Sequence, residues 1–145
     1  MNLKNYTSSV PVALTIARIE SVLAQVGAKA IGKNYQDGRV VSITFQLSMN
    51  GKDHLVRLPA DPEAVCRSMI DKVKKPRNGT LKRIEEQSER TAWKLQQDWL
   101  EVELSLMKLK QKEPLQAFLP YIWDGEQTFY ERLKGSGFKQ LPEKT

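Results

Sequence analysis

The chain has 145 residues, 40% hydrophobic and 28% charged, with 23 Lys and Arg against 17 Asp and Glu for a net charge of +6. A chain of this length buries roughly two thirds of its unfolded surface around one core. One domain over 1–145 is therefore expected, with 1–79 as a helix-sheet-helix part and 80–145 as a long helix followed by short ones. Cys66 is the single cysteine, which excludes an intrachain disulfide. No signal-peptide pattern opens the chain and no uncharged apolar run approaches the ~20 residues of a membrane span, so a soluble, cytoplasmic protein without membrane contact is expected.

Ser8 and Ser9 precede Pro11, after which Val12, Ile16, Ile19, Leu23 and Val26 keep helical spacing until Gly27, predicting a first helix over 10–26. A strand near 30–35 follows, then a turn at Gln36-Asp37-Gly38. Val41, Ile43, Phe45 and Leu47 next alternate with Ser42, Thr44, Gln46 and Ser48, the pattern of a half-buried strand. Asn50-Gly51 is a two-residue hairpin signal that sets Phe45 against Val56 and Ile43 against Leu58 on a third strand over 54–58. For the first turn, the apolar pattern favours a three-residue loop that sets Tyr35 opposite Arg39 and Ile31 opposite Ile43. Lys33 then lies on the inner face near the edge.

Asp61-Pro62-Glu63 combines a capping carboxylate, a first-turn proline and an acid near the positive helix end, predicting a helix over 62–73 with Val65, Met69, Ile70 and Val73 inward. Residues 74–79 break it. The stretch over 81–112 then places Leu81, Ile84, Ser88, Ala92, Leu95, Trp99, Val102, Leu106 and Leu109 at spacings of three and four with no Gly or Pro, one amphipathic helix roughly 48 Å long that Thr80 can cap. After Glu113-Pro114, short helices are expected around 115–122, interrupted by Pro120, and over 129–133. The fold class is α+β: a small three-stranded antiparallel sheet with helices on one face and one long helix in the C-terminal half. Ser42, Thr44, Gln46 and Arg57 occupy the other sheet face, toward water or a partner.

Catalytic and metal-binding patterns are absent from this sequence. His54 is the one histidine, which a strand alternating with Val56 and Leu58 assigns to packing. No phosphate-binding glycine loop occurs. Asp98, Glu101 and Glu103 would serve a metal-dependent nuclease only if they shared a helix face, and Lys94 is better placed to pair with Asp98 as part of a solvated face. No cofactor and no metal are expected, and an enzyme is not.

Charge is concentrated instead. Between Arg67 and Arg83 seven bases face one acid, Asp71. Of these, Lys72, Lys74, Lys75, Arg77, Lys82 and Arg83 surround a Pro- and Gly-containing loop and the start of the long helix, where backbone amides also attract anions. They are the candidate nucleic-acid-binding residues. Tyr6, Tyr35, Tyr121, Trp123 and Tyr130 are candidate stacking aromatics. Leu100, Leu104 and Met107 widen the apolar side of the long helix, so burial between two layers or a homodimer with this helix near its axis is expected.

Ala92-Trp93-Lys94, Asp98-Trp99 and Phe118-Leu119-Pro120-Tyr121, with Gly27-Ala28, Tyr35-Gln36-Asp37-Gly38 and Leu58-Pro59 upstream, carry a resemblance over most of the chain. In these residues the sequence resembles a family of short, mostly uncharacterised proteins of phages, prophages and other mobile elements, with Lys94 where that family more often has Arg. The resemblance implies a mobile-element setting and no assigned catalytic residues. A non-enzymatic nucleic-acid-associated accessory protein, acting in DNA replication, recombination or a related transaction, is the resulting expectation. The alternative is a protein-binding inhibitor or adaptor, such as an anti-defence factor, using the polar sheet face or the aromatic C-terminal end against a protein target.

Overall fold

A computed structural model describes residues 2–73 and 77–144. Its order is α1 (Val12–Val26), β1 (Ala30–Gln36), β2 (Arg39–Met49), β3 (Lys52–Arg57), α2 (Pro62–Ile70), α3 (Asn78–Lys108), α4 (Pro114–Phe118), a 3-10 turn (Leu119–Tyr121), β4 (Ile122–Trp123) and α5 (Phe129–Gly135). The fold is α+β, as its sequence implies, with one long helix and an antiparallel sheet. The sheet has four strands in the order β1-β2-β3-β4 rather than three. Among the described residues, no helix is long and apolar enough to cross a membrane. The chain divides into two compact units, Met1–Gln25 with Pro59–Ser105, and Val26–Leu58 with Leu106–Thr145.

In the first unit the buried apolar residues are Ile16, Ile19, Val22 and Leu23 of α1, Val65 of α2, and Ala92, Trp93, Leu100 and Leu104 of α3. The start of α2 follows its local chemistry: the Asp61 carboxylate accepts the Ala64 N–H at 3.0 Å, and Pro62 occupies the first turn. The helix ends at Ile70, earlier than predicted, and Val73 stands outside it at 36% exposure rather than facing inward. Helix α3 begins at Asn78, ahead of the predicted start, with the Leu81 N–H donating to the Arg77 carbonyl at 2.9 Å, so Thr80 lies inside the first turn instead of capping it.

The inward side of α3 keeps Ser88 and Ala92 of the predicted stripe and then departs from it. Trp93 is fully buried, and Gln97, Leu100 and Leu104 follow it at spacings of four, three and four, all buried. Val102 and Leu109, placed in the main stripe by their period, are 58% and 72% exposed. Glu103 and Gln97 are buried polar residues that a hydrophobic pattern assigns to solvent. The helix stops at Lys108, short of Glu113-Pro114, because Lys110 adopts a left-handed φ of 56°. Its N–H donates to the Met107 carbonyl at 3.0 Å and the Gln111 N–H donates to Leu106 at 3.0 Å, the paired reverse bonds of a Schellman stop with Lys where Gly is usual.

The second unit is organised by β2. The Asn50-Gly51 turn, with φ of 54° and 77°, sets Phe45 opposite Val56, and Leu58 N–H donates to the Ile43 carbonyl at 3.0 Å. The other hairpin differs from the predicted three-residue loop. Asp37 and Gly38, at φ 52° and 76°, form a two-residue turn with Gln36 opposite Arg39, and a bulge between Asn34 and Tyr35 shifts Ile31 onto Phe45 rather than Ile43. The tight turn matches the strand twist, and the bulge leaves Val41 42% exposed while returning Ile31 to the apolar side. Ile43, Phe45, Leu47 and Met49 of β2 are buried with Val56 and Leu58. Phe118 of α4 meets Phe45 edge to face, ring centroids 5.3 Å apart.

Strand β4, absent from the prediction, replaces the end of the expected helix around 115–122, pairing Ile122 with Val56 and Trp123 with Leu55. Pro120, which has no N–H to continue α4, stands in the opening positions of the 3-10 turn that leads to β4. A tight loop then leads to α5. The Asp124 carboxylate accepts the N–H groups of Glu126 and Gln127 at 2.8 and 2.9 Å and the guanidinium of Arg132, while Thr128 and Glu131 form a reciprocal capping box.

Candidate nucleic-acid interface

The predicted basic site falls in the first unit, at the end of α2 and the start of α3. Lys72 follows α2, Arg77 immediately precedes α3, and Lys82 and Arg83 lie in its opening turns, all four exposed. Lys74 and Lys75 lie outside the described residues. Lys72 Nζ donates to Asn2 Oδ1 at 3.2 Å, an exposed contact that leaves other ammonium hydrogens facing solvent. The first turn of α3 contains no acidic residue, so its unbonded N–H groups and the positive end of its dipole are not offset there by a carboxylate. Glu85 and Glu86 come one turn later, which confines the positive field to the helix start. Such an arrangement attracts an anion.

Asp98 and Glu101, two of the three carboxylates that a nuclease would use, are engaged otherwise. Asp98 accepts from Asn5 Nδ2 at 2.8 Å and from Lys94 at 3.0 Å, and pairs with Lys4 at 3.3 Å. Partial burial works against its ionised form, yet the hydrogen bonds from Asn5, Lys94 and Lys4 outweigh it and hold the carboxyl below its usual range. Glu101 accepts from Gln97 Nε2 at 2.8 Å. Among the described residues, no group of three or more His, Cys, Asp or Glu is placed to hold a metal ion.

Asp98 has a different task, which its sequence neighbourhood does not announce. It ends a row of side chains on α3 that fastens the N-terminal segment. Thr91 Oγ1 donates to the Asn5 carbonyl at 2.8 Å, Gln87 Nε2 donates to the Tyr6 and Ser8 carbonyls at 3.0 and 2.9 Å, and Arg90 Nε donates to Ser8 at 3.3 Å. Apart from the bond between the Asn5 side chain and Asp98, these contacts are made to backbone carbonyls, which no pattern of side chains in residues 2–10 foretells.

His54 and Cys66 are both half-buried, His54 in the ladder opposite Leu47 and Cys66 as a free thiol on α2. Of the candidate stacking aromatics, Tyr6, Tyr35 and Tyr130 are exposed and Tyr121 and Trp123 half-buried. The Arg57 guanidinium lies 3.9 Å from the centroid of the Trp123 ring. Comparison with protein-family models, with curated proteins and with solved structures gave no match.

Proposed function

We propose that this chain is a non-enzymatic nucleic-acid-associated accessory protein of a phage or mobile element, working in the cytoplasm of its host on DNA replication, recombination or a related transaction. The observation that carries the reading is the exposed cluster of Lys72, Arg77, Lys82 and Arg83 at the start of α3, whose first turn holds no acid. Lys74 and Lys75 belong to the same basic segment of the sequence. Lys and Arg on an exposed helix start bind phosphates without reading bases, so affinity is set by charge and falls as salt rises. A second copy joined through α3, where Val102 stands exposed, would double the phosphate contacts and raise avidity for an extended strand.

Titrating single- and double-stranded oligonucleotides at several salt concentrations tests this. The triple variant Arg77→Ala, Lys82→Ala, Arg83→Ala is expected to weaken binding across sequences and to flatten the slope of log affinity against log salt by about two to three units. Equal affinity of variant and wild type at every salt concentration would overturn the proposal.

A further inference from the structure

We infer that the outer face of the sheet, centred on Arg57 and Trp123, is a contact surface for single-stranded nucleic acid. The inference rests on the nucleic-acid reading above and adds to it the strand form and a second group of residues. The register assigns this face to Ala30, Gly32 and Asn34 on β1, Ser42, Thr44 and Gln46 on β2, Asp53, Leu55 and Arg57 on β3, and Trp123 on β4. Its profile is stepped. Small side chains on β1 leave a low, exposed shelf, hydroxyl and amide groups line the middle, and Leu55, Arg57 and Trp123 form a taller wall, with Leu55 45% exposed.

The wall carries an uncompensated charge. The Arg57 guanidinium carbon lies 3.9 Å from the centroid of the Trp123 ring, its Nε is buried without a hydrogen-bond partner, and among the described residues no carboxylate pairs with it. Nearby acids are already neutralised: Asp53 is bound by Lys29 at 2.9 Å and by Gln46 at 3.1 Å, and Asp124 by Arg132. With Nε buried, the two terminal Nη groups are the donors left to Arg57, and a phosphate or a base edge accepts from such a pair. Leu55, exposed beside the half-buried Trp123 ring, offers apolar area on which one base can lie. The unit that holds this face, Val26–Leu58 with Leu106–Thr145, carries 12 Lys and Arg against 7 Asp and Glu, which favours an anionic partner. A duplex hides its bases, so this face selects the single strand.

The test compares a short oligothymidylate with a duplex on the 145-residue chain. Arg57→Ala is expected to lower affinity for the oligothymidylate about tenfold and to change duplex affinity less than about twofold. Leu55→Glu, an exposed position whose change leaves the core intact, is expected to do the same, and its thermal midpoint verifies the fold. Trp123→Phe is expected to abolish the quenching of tryptophan emission by the bound oligothymidylate. Unaltered oligothymidylate affinity in both Arg57→Ala and Leu55→Glu, with the Arg77, Lys82 and Arg83 variant still defective, overturns the inference alone and leaves the face to a protein partner. A wild-type protein that binds neither strand form overturns the function proposed above as well.

Discussion

Trp93 shows how one side chain organises its unit. The ring is fully buried on α3, and its Nε1 finds no hydrogen-bond partner among the described residues. Trp93→Ala is expected to cost about 3–5 kcal/mol in a denaturant titration, the range for deleting a large buried ring. Trp93→Phe is expected to cost much less, because the indole N–H it removes contributes no bond. An equal loss from both would mean that the nitrogen has a partner. Asp124 makes a second residue-scale argument. Backbone N–H groups of Gln127 and Glu126, then Arg132, lower its carboxyl from 3.8 to about 2. The folded state therefore binds fewer protons than the unfolded one, and this contribution to stability is full above pH 3.8 and lost as pH falls toward about 2. Asp124→Asn is expected to be less stable than wild type near neutrality, with the gap closing across that window in an acid titration.

Helix stops reveal the most at the scale of the element. At the end of α5 the reverse bonds come from Gly137 to Lys134 at 3.0 Å and from Phe138 to Leu133 at 2.9 Å, with Gly137 at φ 74°. The end of α3 is built alike, but Lys110 supplies the positive φ and bears the steric cost of its Cβ. Lys110→Gly is expected to raise stability by up to about 1 kcal/mol, the relief of that strain less the added freedom of the unfolded chain, read as a higher thermal midpoint. A fall would mean that the Lys110 side chain makes contacts worth more than the strain.

For the whole molecule, assembly turns on Val102, which α3 leaves 58% exposed. The proposed homodimer buries it against a second copy, so sedimentation at micromolar concentration is expected to give twice the chain mass, and Val102→Asp to return it to the monomer. A monomer mass at every concentration would remove the dimer and its avidity from the proposed function.

Much of the fold was legible because it is written in neighbouring residues. Asn50-Gly51 specifies its turn and with it the pairing of Phe45 and Val56, and Asp61-Pro62 announces the start of α2, since a turn or a cap uses atoms close in sequence. The basic cluster, too, is a local charge excess around Lys72 and Arg83 that needs no fold to be noticed. Features that depend on distant partners were not legible in this way. Two residues of β4 become a strand only because β3 offers an open edge, and Asp98 becomes a tether only because Asn5 arrives from the other end of the chain. The bulge that moved Ile31 from Ile43 to Phe45 conserves the apolar face, so periodicity alone could not distinguish the two registers. The side of α3 that faces inward was decided by tertiary packing around Trp93, which buried Gln97 and Glu103 and left Val102 outside: a period of 3.6 states that a helix has a face, while the volume available beside it determines which residues fill it.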